Sequence, residues 1–449
     1  MSAYEDSRRN IRRPGRRHVM AGVAALAAVG VLGAAAPVQA QAHGTESVGV
    51  RAQRAARAEL PAPTGPYKIG TSSLRLTDHS RADPWKPAER REVMVSFWYP
   101  AGGSGQRTAP YMRPEAAAHF GSADGAASFN HSLPVGATDW AATRTHAVEG
   151  APVARGGGGK RPVVLYSAGL GDPRTWNTAL VEELASRGYV VVTVDHTHEA
   201  SEVEFPGGRL VPSVFPDLLK QPDLDVGAVL RTSMKTRVAD TRFVLDRLGG
   251  LRHEHGLPRG LAHSLDLRRV GMAGQSAGGF TAAQAMHDDR RIKAGINMDG
   301  QMDFPDAKGS NGQGSELSSV ARDGLDRPFL LMGTDAEGSG DYRRQPSWNA
   351  FWKNTRGWHA NLTMKGGQHG SYTDAAALLP QLARQGAVPA DVVTKNIGTV
   401  RPERAVAAVR AYTVSFFDRW LRGTDDHLLD KDPKGSKDSK RFPEMVRAE

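Results

Sequence analysis

A short apolar segment that ends at a glycine-flanked serine strongly limits what this chain can fold into. The run Val270-Gly271-Met272-Ala273 has the character of a buried strand, and Gly274-Gln275-Ser276-Ala277-Gly278 follows it directly. The next segment, residues 280–286, is alanine-rich and compatible with a helix. A serine between strand and helix lies on a sharp, strained turn that exposes its hydroxyl, and small neighbours let helix and strand approach closely. The alternative is an ordinary strand-to-helix turn with an N-capping serine.

Apolar segments that alternate with helical patterns predict an α/β fold for most of the chain. The strand-like segments are residues 93–99, 163–166, 189–194, 270–273, 292–298, 329–332 and 362–364. Helical patterns fill several of the gaps, most clearly over residues 226–248. Near-continuous apolar strands separated by helices are typical of a mostly parallel sheet with helices on both faces. With the glycine-flanked serine, this order predicts one catalytic domain of the α/β-hydrolase fold over residues 65–425.

The two ends of the chain are predicted to lie outside this domain. Residues 1–42 place six arginines before an Ala/Gly/Val/Leu run and end in small-x-small cleavage candidates at Ala40 and Ala42, as in an export signal. The pair Arg16-Arg17 fits the twin-arginine type, so we expect a secreted protein without stable membrane insertion after cleavage. An uncleaved membrane anchor is the alternative. Residues 43–64 are predicted to be a linker and residues 426–449 a charged tail.

Composition excludes several classes of function. The chain has no cysteine, which excludes disulfides, a thiol nucleophile and a cysteine-linked lipid anchor. The net charge is +10 at pH 7, but residues 1–42 contribute four of these charges. The rest of the chain has no basic run with interleaved aromatic residues, so nucleic-acid binding is not predicted.

A nucleophilic serine needs a base, an acid that orients the base, and two donors for the oxyanion. In this fold the chain order is serine, then acid, then histidine. His369 lies in a glycine-rich loop directly after the last predicted strand, and we expect it to be the base for Ser276. Asp299 and Asp335 end the two strands that follow the serine, and the order rule does not choose between them.

The oxyanion donors are expected to be two backbone N–H groups. One belongs to Ala277, directly after the serine, and the other to the loop that follows the strand at residues 163–166. Gly169 and Gly171 allow that loop to turn tightly, which makes Leu170 the expected second donor. One such donor typically contributes about 3 kcal/mol to transition-state stabilisation.

The cluster Asp195-His196-Thr197-His198-Glu199 contains residue types that bind zinc. An H-x-H pair on an extended chain points both side chains to one face, and the sequence shows no obvious third ligand and no opposing cluster. We therefore expect polar residues that line the site, with no metal and no cofactor.

The chain resembles the plasma-type platelet-activating factor acetylhydrolases and their bacterial lipase-like members over nearly all of residues 65–425. The resemblance rests on Asp83-Pro84-Trp85, Met94-Val95-Ser96-Phe97-Trp98-Tyr99-Pro100, Gly169-Leu170-Gly171, the serine turn and Gly295-Ile296-Asn297-Met298-Asp299. It implies that Asp299 is the acid, with Asp335 in reserve, and it supports the roles of His369, Leu170 and Ala277. The family often has histidine where this chain has Gln275 and Ala168, so the substrate range is expected to differ.

These observations predict a secreted serine esterase. By resemblance, its substrates are phospholipid-like esters or other esters with short or moderate acyl chains. A triglyceride lipase or polyester hydrolase would use the same triad. A serine peptidase is less well supported, because no gating domain is evident. A non-catalytic binding protein on the same fold is the alternative of another class. The oligomeric state is not predicted.

Overall fold

The centre of the molecule is a mostly parallel β-sheet. The structure is a computed structural model and describes residues 55–103, 107–155, 159–254, 256–307, 315–336, 340–430 and 441–448. Within these ranges the strands are β1 Ile69–Ala82, β2 Arg90–Pro100, β3 Thr108–Pro110, β4 Arg144–Glu149, β5 Arg161–Ser167, β6 Val190–His196, β7 Glu202–Phe205, β8 Arg209–Pro212, β9 Leu265–Gln275, β10 Ile292–Met298, β11 Asp303–Phe304, β12 Glu316–Leu317, β13 Phe329–Thr334, β14 His359–Met364 and β15 Met445–Arg447.

Helices cover both faces of the sheet. They are α1 Pro114–Phe120, α2 Ala126–Phe129, α3 Thr178–Ser186, α4 Phe215–Leu218, α5 Val226–Gly250, α6 Leu261–Ser264, α7 Ala277–Asp288, α8 Ser319–Asp323, α9 Pro346–Asn354, α10 Ala375–Arg384, α11 Ala390–Ile397 and α12 Pro402–Phe417. Helices α3, α10 and α12 contribute to the core on one face, and α5, α7 and α9 to the core on the other. The predicted mostly parallel sheet with helices on both faces is confirmed.

The described strands of the large sheet are ordered β15-β14-β13-β10-β9-β5-β6-β2-β1-β4-β3. The inner strands from β14 to β6 are parallel to one another, whereas β2 and β15 join antiparallel at either side. In β5 every residue is buried, with Val163 and Leu165 in one core and Val164 and Tyr166 in the other. Because successive side chains point to opposite faces, a strand covered on both sides must be largely apolar, as the central residues Pro162–Leu165 of this one are.

The folded unit extends beyond residues 65–425 at both ends. In the segment predicted to be a linker, Ala58 and Leu60 are buried in the core. In the predicted tail, β15 pairs antiparallel with β14. A three-residue strand such as β15 is too short to show a periodic pattern. Isolated apolar residues in an Arg- and Pro-rich stretch show none either, so the sequence predicts neither extension of the folded unit. The predicted export signal lies outside the described residues. No helix in the described part of the chain is long and apolar enough to cross a membrane.

Glycines make the serine turn possible, because α7 packs directly against β9, β10 and β5. A Cβ at Gly278 would lie 1.9 Å from the carbonyl oxygen of Ser167, and one at Gly274 would lie 2.2 Å from the backbone of Gly278. A Cβ at Gly279 would lie 2.1 Å from Oδ1 of Asn297. Atoms cannot approach this closely, so each of these positions requires glycine or a displacement of the helix.

Gly278→Ala should therefore lower the free energy of unfolding by about 1–3 kcal/mol through overpacking. Gly249→Ala is the matched control, since its added methyl group meets nothing within 4 Å and lies in α5. We expect the control to leave stability unchanged or to raise it by up to about 1 kcal/mol. The urea midpoints of the two variants measure both effects, and equal midpoints would contradict the close approach of α7 to β5.

Candidate active site

Ser276 lies on the turn between β9 and α7, with φ +56° and ψ −125°. A non-glycine residue with positive φ is strained, and such strain is concentrated at functional sites. The turn is held by its backbone: the N–H of Ser276 donates to the carbonyl of Met298 at 2.8 Å, and its carbonyl accepts from Gly279 and Phe280. The serine side chain thus stands at the carboxyl end of β9.

His369 and Asp299 meet at the same edge of the sheet. His369 begins a short 3₁₀ turn, His369–Tyr372, after β14, and its Nδ1 donates to Oδ2 of Asp299 at 2.7 Å. Asp299 follows β10 with φ +60°. Its Oδ1 accepts from the N–H of Thr334 at 3.2 Å, which fixes the carboxylate from the other side. Because Nδ1 of His369 holds the proton that it donates to Asp299, Nε2 is the ring nitrogen that can accept a proton.

The other candidate acid, Asp335, has a different partner. It follows β13, and its Oδ1 accepts from the backbone N–H of Gly366 at 2.8 Å. It therefore fixes the loop that precedes His369, whereas Asp299 bonds to the imidazole itself.

Gln275 connects the serine turn to the histidine loop. Because β9, β10, β13 and β14 are successive parallel neighbours, their carboxyl ends lie along one edge of the sheet. Nε2 of Gln275 donates to the carbonyl of His369 at 3.3 Å, and the Gln275 side chain is buried. In the sequence, Gln275 stands out only as a departure from the family pattern, and nothing there indicates this contact.

The two expected oxyanion donors have free N–H groups. In the described residues, neither the N–H of Leu170 nor that of Ala277 has a hydrogen-bond acceptor. Leu170 lies in the loop after β5, where Gly171 has φ +76° and so permits the turn. Ala277 is the first residue of α7, and the positive end of the helix dipole adds to its attraction for an anion.

Asn130 and His131, in the segment between α2 and β4, hold the loop after β5 that carries Leu170, here called the oxyanion loop. Nδ2 of Asn130 donates to the carbonyl of Leu170 at 3.0 Å and to Oδ1 of Asp172 at 2.7 Å. Nε2 of His131 donates to the same oxygen at 2.9 Å. Burial raises the pKa of Asp172, but these partners outweigh burial and lower it, so the carboxylate stays charged. Nothing in the sequence of the segment between α2 and β4 indicates these contacts, so they were not predicted.

Opposing effects set the pKa of His369. Burial lowers the pKa, but the hydrogen bond to Asp299 and the charges of Asp299 and Asp172 outweigh it and raise the pKa above 6.5. Both carboxylates therefore stabilise the imidazolium that forms when His369 takes up a proton.

The five-residue cluster Asp195 to Glu199 does not converge on one point. Arg174 donates to Asp195, Nδ1 of His196 donates to Asp240, and Arg237 donates to Glu199. Within the described ranges, the group of side chains spaced to hold a metal ion is instead Asp425, His427 and Asp430, at the molecular surface.

Comparisons with known proteins found similarity to several esterases and acetylhydrolases. The family described as "Platelet-activating factor acetylhydrolase, isoform II" matches residues 52–205. A "Probable 1-alkyl-2-acetylglycerophosphocholine esterase" of Arthroderma benhamiae is 26% identical over 405 residues, covering 86% of this chain and 93% of the relative. The platelet-activating factor acetylhydrolase of Cavia porcellus is 27% identical over 173 residues, 33% of this chain and 36% of the relative.

A solved structure extends the likeness to the fold. A ferulic acid esterase from Streptomyces cinnamoneus superimposes with a TM-score of 0.68 and 37% identity, covering 87% of this chain and 99% of that one. The resemblance to the family, the fold and the enzyme class predicted from the sequence are thereby confirmed. The chain is an α/β-hydrolase and a carboxylic-ester hydrolase, and it is similar to the platelet-activating factor acetylhydrolases.

Proposed function

We propose that this enzyme is a secreted serine esterase in which Ser276, His369 and Asp299 form the catalytic triad. The observation that carries the proposal is the 2.7 Å hydrogen bond between Nδ1 of His369 and Oδ2 of Asp299, at the sheet edge where the strained Ser276 lies. Secretion rests on the predicted export signal at residues 1–42.

The first half of the reaction forms an acyl-enzyme. Oγ of Ser276 attacks the ester carbonyl carbon while Nε2 of His369 takes the hydroxyl proton. Asp299 keeps the Nδ1 proton in place and stabilises the imidazolium. The oxygen of the tetrahedral intermediate accepts hydrogen bonds from the N–H groups of Leu170 and Ala277. As the intermediate collapses, the ester C–O bond breaks and the imidazolium protonates the leaving alcohol.

The second half of the reaction regenerates the serine. His369 removes a proton from water, and the resulting hydroxide attacks the acyl carbon through the same oxyanion donors. The bond to Ser276 Oγ breaks, the serine recovers its proton from His369, and the carboxylic acid leaves. No step in this sequence calls for a cofactor or a metal ion.

The relatives suggest two substrate classes. One is an acetylated glycerophospholipid, as named for the Arthroderma relative, and the other is an ester of ferulic acid, as named for the Streptomyces esterase. The higher identity to the Streptomyces enzyme, 37% against 26%, favours testing ferulate esters beside the phospholipid. A triglyceride lipase or polyester hydrolase would use the same triad, and chain-length preference separates it from the esterase.

Ser276→Ala should reduce ester hydrolysis by a factor on the order of 10⁴ or more, because the nucleophile is lost. We would measure kcat/KM on p-nitrophenyl esters of increasing acyl length, methyl ferulate and an alkyl-acetyl-glycerophosphocholine. A fluorophosphonate should label the wild-type protein at Ser276 and leave the variant unlabelled.

Each result of this panel favours one function. Wild-type preference for short or aryl acyl groups supports the esterase, and preference for long acyl chains in emulsion supports the lipase alternative. Unchanged activity in Ser276→Ala would rule out this nucleophile. A wild-type protein inert on every ester would favour the binding-protein alternative.

The activity should rise with pH around a midpoint above 6.5, since His369 acts as base only when it is neutral and its pKa is raised. Asp299→Asn should shift that midpoint down and lower kcat on the order of 10⁴-fold, because the stabilising charge and the correct tautomer are lost. The pH profile of kcat/KM measures both.

Asp335→Asn is the matched control, as its carboxylate bonds to Gly366 and not to the imidazole. It should leave the midpoint in place and reduce kcat far less. A larger effect of Asp335→Asn than of Asp299→Asn would make Asp335 the triad acid.

A further inference from the structure

One buried guanidinium holds three consecutive residues of the oxyanion loop. Arg237 lies in α5 and is 1% exposed. Its Nη1 donates to Oγ of Ser167 at 3.0 Å and to the carbonyl of Ala168 at 2.7 Å. Its Nη2 donates to the carbonyl of Gly169 at 2.8 Å. These three residues are the ones that lead from β5 to Leu170.

The guanidinium is itself fixed by a buried carboxylate. Nε of Arg237 donates to Oε1 of Glu199 at 2.5 Å, and Glu199 is 0% exposed. A buried ion pair with this geometry holds its members in one arrangement, because moving either side chain would leave a charge without a partner.

The hydroxyl of Ser167 continues the network on its other side. Burial lowers the pKa of His196 and outweighs the hydrogen bond to Asp240, so the imidazole is neutral. Its Nδ1 donates to Asp240 at 3.0 Å, and its Nε2 accepts from the hydroxyl of Ser167 at 3.0 Å. The hydroxyl oxygen is then oriented to accept from Arg237.

The hydrogen bond from Arg237 to the carbonyl of Gly169 also orients the expected oxyanion donor, the N–H of Leu170. The carbonyl of Gly169 and the N–H of Leu170 belong to one peptide unit, and the described chain has no cis peptide bond. In a planar trans peptide the C=O and N–H point in opposite directions. Anchoring the carbonyl on Arg237 therefore fixes the direction of the Leu170 N–H. The positive charge also polarises the peptide and strengthens that N–H as a donor.

We propose that Arg237 is a positioning residue of the oxyanion hole, which acts by clamping the Gly169–Leu170 peptide so that the Leu170 N–H points at the developing oxyanion. The inference rests on the proposed function, in which Ser276 attacks an ester carbonyl. Arg237 does not touch the substrate and acts on the transition state only through the loop.

The test compares Arg237→Met and Arg237→Lys with the wild-type enzyme. Active sites are titrated with a fluorophosphonate, and kcat, KM and the Ki of a trifluoromethyl ketone, which forms a tetrahedral oxyanion on the serine, are measured per titrated site. Loss of one oxyanion donor lowers kcat about 10²–10³-fold. We expect Arg237→Met to lower kcat by a factor on the order of 10² with little change in KM. The Ki should rise by a similar factor, and Arg237→Lys should recover part of the loss.

Arg410→Met is the matched control. Arg410 is also buried and donates to backbone carbonyls, those of Pro61, Ala62 and Ala179, with Glu183 at 3.8 Å, but none of them belongs to the oxyanion loop. We expect this variant to be less stable than the wild type, yet to keep its kcat and ketone Ki per titrated site.

Two results would overturn the inference. One is an Arg237→Met enzyme with fewer titratable sites but wild-type kcat per site, which would make the arginine structural only. The other is a fall in kcat with an unchanged ketone Ki. If Arg237→Met does not fold, Arg237→Lys, which keeps the charge beside Glu199, must meet the same criteria.

Ser276→Ala is measured in the same series, so that failure of the proposed function can be told from failure of this inference. An active Ser276→Ala enzyme would contradict the proposed function. An inactive Ser276→Ala enzyme beside two Arg237 variants that behave as wild type would contradict only this inference.

Discussion

The site depends on the contact between the start of α7 and the end of β5, where Gly278 leaves no room for a Cβ against the carbonyl of Ser167. This contact brings the first N–H of the helix, that of Ala277, beside the loop that carries Leu170. It also forces Ser276 into a positive φ, because the chain must turn sharply to start a helix so close to the sheet. One steric limit thereby governs the proposed nucleophile and both expected oxyanion donors.

A second strained turn, at Asp299, follows β10, the strand next to β9 in the sheet. Asp299 has φ +60°, and a Cβ at Gly300 would lie 2.1 Å from the carbonyl of Ser276, so the two turns pack on each other. Each residue donates its N–H to the strand beyond, Ser276 to Met298 and Asp299 to Met332. Strain of this kind costs about 1–3 kcal/mol per residue and persists because the surrounding sheet fixes the backbone.

Much of the fold and part of the site could be predicted from local sequence. The apolar strands and the serine turn carry short-range patterns, and the position of His369 after a strand follows from chain order. Chain order could not separate Asp299 from Asp335, since both end parallel strands. The contacts of Arg237 and Asn130 could not be predicted, because they join residues 70 and 40 positions away and leave no periodic signal. The strand β15 is too short to show a pattern.

The buried charges behind the oxyanion loop also constrain how this chain can change over evolution. Arg91, Arg237, Asp240 and Glu199 are each 0% or 1% exposed. Arg91 pairs with Asp240 and Asp83, and Arg237 pairs with Glu199 and donates to the loop. Replacing Arg237 or Glu199 alone leaves the other charged and unpaired in the interior, which typically costs about 3–5 kcal/mol, whereas replacing the whole pair with apolar residues can be neutral. Substitutions at these positions are therefore expected to be coupled, so that each residue is retained or replaced together with the residue whose charge it neutralises.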